Sequence, residues 1–69
     1  MREQLEQLVG EMITKGVRYE DAHREFEKKF IAQVLLKADV NLGKAADMLG
    51  MHRNTLSRKI AEYRIKRNV

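Results

Sequence analysis

A chain of 69 residues with no Pro, Cys or Trp has room for one small domain and offers neither a disulfide staple nor a cysteine metal site. Its longest apolar run, "IAQVLL" at Ile31–Leu36, falls far short of the roughly 20 residues that span a bilayer, which excludes a membrane span; without a phosphate loop or a Ser/His/Asp set, the chain also argues against an enzyme. The net charge of +4 is unevenly spread: residues 1–39 hold seven Lys/Arg against eight Asp/Glu, whereas residues 40–69 hold seven against two.

A basic block confined to one end is the electrostatic footprint expected for nucleic acid. A domain of this size buries only about 60% of its unfolded surface, so apolar faces shared between two chains are an expected source of stability. The opening "MREQLEQ" lacks the layout of a signal peptide, and with no Cys the chain is expected to be cytoplasmic.

The spacing predicts four helices. In the first, from about Glu3 to Lys15, Leu5, Leu8, Val9, Met12 and Ile13 form one apolar stripe, and Gly16 stops it. The second, from about Tyr19 to Ala38, begins with Glu20 and Asp21, where carboxylates suit the positive helix end. Ala22, Phe26, Phe30 and Val34 make one apolar row on it, and Ile31, Leu35 and Ala38 make another. So wide a stripe calls for several partners: the first helix, the C-terminal half and a second copy of the chain.

A third helix is expected to start at Asn41, a favoured N-cap, to bury Leu42, Ala45, Ala46 and Leu49, and to end at Gly50. After Met51 and His52, a fourth, from about Arg53 to Ile65, carries Leu56, Ile60 and Tyr63 on one face. Two short helices about a Gly turn make a helix-turn-helix, whose second helix can enter the major groove of DNA. Residues 1–39 are then a helical dimerisation region and residues 40–69 the DNA-binding unit of one continuous domain.

At 100° per residue, with Leu56 at the core, Asn54, Ser57, Arg58, Ala61 and Glu62 point away from it, while Arg53, Asn54 and Thr55 crowd the first turn. Groove reading uses these side chains: Arg takes two hydrogen bonds to guanine, Asn pairs with adenine, and Ser or Thr serves base or phosphate. Asn41, Lys44, Lys59, Arg64, Lys66 and Arg67 are candidate phosphate contacts, salt-sensitive and indifferent to sequence. His23 and His52 lie too far apart in the chain for a metal site, and Met12, Met48 and Met51 read as core or turn filler. No cofactor is expected.

The stretch "NLGKAADMLGMHRNTLSRKIAEYRI", Asn41–Ile65, resembles the Fis-type helix-turn-helix shared by a bacterial nucleoid protein and by enhancer-binding activators of the nitrogen-regulatory protein C class. Ala45, Ala46, Leu49, Gly50, Arg53, Thr55, Leu56, Arg58, Lys59 and Ile60 carry the pattern. The resemblance implies an all-α, four-helix domain in which two N-terminal helices from each chain form a dimeric core, here through Leu5, Leu8, Val9, Met12, Ile13, Phe26, Phe30 and Val34. It further implies base contacts by Arg53 and Arg58, phosphate contacts by Thr55 and Lys59, and for His52 either a helix-start contact to DNA or a place in the turn.

Where the family places Gly immediately before the position of Asn41, this chain has Val40. A β-branched residue at positive φ is strained, so the junction between the second and third helices is expected to depart from the family geometry.

The expected function is sequence-preferring binding of double-stranded DNA by a homodimer in bacterial transcription regulation, at the nucleoid. The alternatives are a sequence-indifferent, DNA-bending nucleoid protein and a helical protein–protein adaptor. A chain of this length holds no receiver or ATPase domain. It is either free-standing or the end of a larger activator, with an upstream ATPase domain or RNA polymerase as partner in the second case.

Overall fold

A computed structural model describes residues 1–65. Lys66 and Arg67, two of the phosphate candidates, lie outside the described residues. Among the described residues four helices follow one another: α1 (Arg2–Thr14), α2 (Tyr19–Lys37), α3 (Leu42–Leu49) and α4 (Arg53–Tyr63). The all-α, four-helix expectation holds, with limits that differ by one or two residues at several ends.

All four helices end in the same way. The second residue past the last full turn reaches back five residues, and its predecessor reaches back three, which satisfies carbonyls that would otherwise be orphaned. The N–H groups of Val17 and Gly16 donate to the Met12 and Ile13 carbonyls, and those of Met51 and Gly50 donate to Ala46 and Asp47. This turn needs a left-handed residue, and glycine supplies it at Gly16 (φ +77°) and Gly50 (φ +69°).

The other two ends do it without glycine. Arg64 (φ +54°) closes α4, and for that reason the helix stops at Tyr63 rather than near Ile65. At the end of α2, Asp39 (φ +52°) and Val40 (φ +61°) are both left-handed, with the Val40 N–H on the Leu35 carbonyl at 2.9 Å. The expectation that Val40 would keep its junction out of the left-handed region is therefore wrong. Three successive bonds, from Asp39 to Leu36, Val40 to Leu35 and Asn41 to Ala38, outweigh the strain of one β-branched residue. Because Val40 does not pack on the core, its side chain returns little for that strain. Val40→Gly should raise stability by about 1 kcal/mol, a gain of roughly 4–8 °C in melting midpoint. A lower midpoint in a thermal melt would show that the turn needs the isopropyl group.

The core joins the second half of α2 to the C-terminal pair. Ile31, Leu35 and Ala38 from α2, Ala45 and Ala46 from α3, and Leu56 and Ile60 from α4 are all buried. Ala45 and Ala46 present only methyl groups, so α3 can lie close against its neighbours. Val34, Leu42, Leu49, Met51, Tyr63 and Ile65 close the edges. Val34 thus serves the chain's own core, because its position on α2 turns it toward the Ile31–Leu35 row. Met48, expected as filler, is half-exposed on α3 at 49%.

The N-terminal half is built differently. α1 contains no buried residue. Leu5, Leu8, Val9, Met12 and Ile13 face Ala22, Phe26 and Phe30 of α2 across an open apolar groove of about 830 Å³. The Phe26 and Phe30 rings, 5.5 Å apart, form its far wall, and they remain half-exposed along with Leu5, Leu8 and Val9.

Candidate nucleic-acid interface

Each helix of the C-terminal pair is started by a side-chain cap. Asn41 Oδ1 accepts the Lys44 N–H at 3.0 Å, so this candidate contact is the N-cap that starts α3. His52 does the same for α4: its Nδ1 accepts the Asn54 N–H at 3.0 Å. The His52 ring is thus the capping group at the start of α4.

With Leu56 and Ile60 buried, the opposite side of α4 faces out. Arg53, Asn54 and Arg58 are exposed, as is Lys44 at the start of α3, and Thr55 and Ser57 are half-buried at the flanks. Among the described residues, no carboxylate pairs with Arg53, Arg58 or Lys44. Their charge is left for an external anion. Arg64 is exposed beyond the helix end.

Lys59, a candidate phosphate contact, is paired within the chain. Its Nζ lies 3.0 Å from Glu27 Oε2, with only 28% of the lysine side chain and 20% of the glutamate exposed. It sits one turn-width from Leu56, on the edge of the buried face, and so turns toward α2 rather than outward. The Tyr63 hydroxyl donates to the other carboxylate oxygen, Glu27 Oε1, and the Arg24 guanidinium lies 5.8 Å from the centre of the Tyr63 ring.

Nothing in the motif pointed to Glu27 or Arg24. A signal was nonetheless present: Glu27 stands four residues before Ile31 in the row that continues to Leu35, a carboxylate aligned with the core face.

The charges in this cluster support one another. The Glu27 carboxyl is held below its ordinary value of 4.5, first by the Tyr63 hydroxyl and then by Lys59. The Tyr63 phenol is pushed up from 10.0 to about 12, chiefly because ionising it would remove the hydrogen it donates to Glu27, with burial and the Glu27 charge acting in the same direction. A lowered carboxyl contributes stability above its unfolded value, and this is lost as pH falls through the folded one; a raised phenol contributes below its unfolded value, and this is lost on the alkaline side. The cluster therefore works across the neutral range. In melts from about pH 6 to about pH 3, the deficit of Glu27→Gln relative to the wild type should shrink as the wild-type carboxylate is protonated. A constant deficit would mean that the ionised form contributes nothing.

No helix among the described residues is long and apolar enough to cross a membrane. Residues 22–63 match the family described as bacterial regulatory protein, Fis family. The match begins at Ala22, so the likeness takes in most of α2 as well as the helix-turn-helix. Searches of curated proteins and of solved structures return no match.

Proposed function

The chain belongs to the Fis family of bacterial regulatory proteins, whose helix-turn-helix binds DNA, and on that premise we propose that it acts as a homodimer that prefers particular double-stranded sequences. The observation that carries this reading is the outer face of α4: Arg53, Asn54 and Arg58 stand exposed on a helix anchored by Leu56 and Ile60, with no carboxylate among the described residues to occupy either arginine. In this reading α4 lies in the major groove, Arg53, Asn54, Ser57 and Arg58 meet base edges, and Lys44, Thr55 and the first turn of α3 hold phosphates.

The dimer rests on the groove between α1 and α2. A helix with no buried residue, facing a row of half-exposed aromatic and aliphatic side chains, has an apolar stripe that the described residues leave uncovered. A second copy offers the same stripe, as a two-fold interface requires. Two recognition helices related in this way read half-sites about one helical turn of DNA apart. Such a target places the protein at the nucleoid.

Selection of bound duplexes from random DNA at fixed salt tests the proposal. The expected result is a motif with two-fold symmetry. Recovery of an unbiased pool would overturn sequence preference, and failure to retain any duplex would overturn DNA binding itself.

A further inference from the structure

We infer that Glu27 is a positioning residue for DNA recognition: from α2 it fixes the roll of α4 through Lys59 and Tyr63, and so sets the direction in which Asn54 and Arg58 meet the bases. The inference rests on the DNA-binding reading above.

One carboxylate grips the recognition helix at two levels. Its two oxygens take Lys59 and Tyr63 separately, and those residues stand four apart, one turn above the other on the same side of α4. Leu56 and Ile60 hold α4 down, but apolar burial is non-directional and resists rotation only through shape. A two-point polar link resists both rotation and sliding. Arg24, against the Tyr63 ring, adds a third contact from the preceding turn of α2.

An internal comparison separates this link from an ordinary surface pair. Lys29 and Glu25, also on α2, meet at 3.5 Å with side chains 72% and 60% exposed, whereas Lys59 and Glu27 are less than half as exposed and come 0.5 Å closer. The first is the kind of pair that contributes little; the second is sheltered between two helices.

The arrangement also costs affinity. Behind the helix turned to DNA, Glu27 adds a negative charge and occupies a lysine that could otherwise reach phosphate. What it supplies in return is orientation. Base contacts need their donors placed within about 0.5 Å and 10–20°, a tolerance that long, flexible lysines at phosphates do not share. Glu27 therefore trades affinity for discrimination, and charge and positioning predict opposite signs when it is removed.

The test uses the full chain as wild type, Glu27→Gln and Tyr63→Phe. Fluorescence anisotropy would follow binding to the selected duplex and to a scrambled one over a salt series, with far-UV circular dichroism checking that each variant is folded at the assay temperature. Glu27→Gln should lower the ratio of specific to non-specific affinity about 10-fold, comparable to losing one base contact. Its non-specific affinity should rise, and the salt slope should steepen by about 0.9 per protomer as Lys59 turns to phosphate.

Tyr63→Phe leaves charge and ring in place and removes only the hydroxyl, so it should lower the ratio without steepening the slope. It also decides the matter if Glu27→Gln does not fold. An unchanged ratio in the folded variants, or specific and non-specific affinities that rise together, would overturn the inference and leave the DNA-binding reading standing. A wild type that favours no duplex would overturn the DNA-binding reading, and this inference with it.

Discussion

Leu8→Glu should convert the protein to a monomer and remove its tight DNA binding. Leu8 lies at the middle of the α1 stripe and lines the apolar groove together with Phe26 and Phe30. Burying a leucine is worth about 1.5–3 kcal/mol, and a two-fold interface counts the residue twice. A glutamate in its place must also give up hydration for a groove lined mainly by apolar side chains, which adds several kcal/mol per ion. The dimer dissociation constant should rise by at least about 1,000-fold, as read by sedimentation equilibrium.

DNA affinity should fall with it, by about 100-fold or more, because a monomer offers one recognition helix where two act at an effective concentration set by the dimer. Helix content should drop too. α1 has 13 residues and no buried side chain, and an isolated helix of that length is marginal in water. The core of Ile31, Leu35, Ala45, Ala46, Leu56 and Ile60 lies elsewhere and should still give a cooperative melt. A Leu8→Glu monomer that binds the selected site as tightly as the wild type would sink the dimer.

Arg58→Ala should cost about 1–3 kcal/mol per half-site at the selected sequence and relax the preference at one base position. The residue is exposed, unpaired among the described residues, and turned away from Leu56, as an arginine that forks onto guanine needs to be. Lys44→Ala, at the exposed start of α3, is the comparison. As a phosphate contact it should weaken all duplexes alike and reduce the salt slope by about 1. Anisotropy titrations of both variants against the selected site and its single-base substitutions separate these behaviours. Uniform loss across sequences with Arg58→Ala would reassign Arg58 to phosphate.

Most of the local structure was legible in the chain. Asn41 capping α3 and Gly50 ending it follow from a side-chain acceptor of the right length and a backbone free of a Cβ, and both act within four residues of themselves. The inward face of α4 followed from the spacing of Leu56, Ile60 and Tyr63, and with it the exposure of Arg53, Asn54 and Arg58. Val40 was misjudged because intrinsic φ preference was the only term in view, whereas three backbone hydrogen bonds at the end of α2 act together against it.

Lys59 and Val34 make contacts within the chain that periodicity does not show, for a different reason. Both lie at the margin of an apolar face, where the helical angle alone permits an inward or an outward role. A partner across the space decides between them: Glu27 draws Lys59 toward α2, and the Ile31–Leu35 row draws Val34 into the chain's own core.

By itself, then, the sequence determined which helices form, their ends to within a residue or two, and which side chains share a face, because capping and periodicity are effects of near neighbours. Only the tertiary structure decided what each face meets. It directed one carboxylate of α2 to two side chains of α4, divided the α2 stripe between a closed core and an open groove, and left Arg53 and Arg58 without a partner among the described residues. These outcomes depend on groups that are dozens of residues apart in the chain and become neighbours only once the helices have packed.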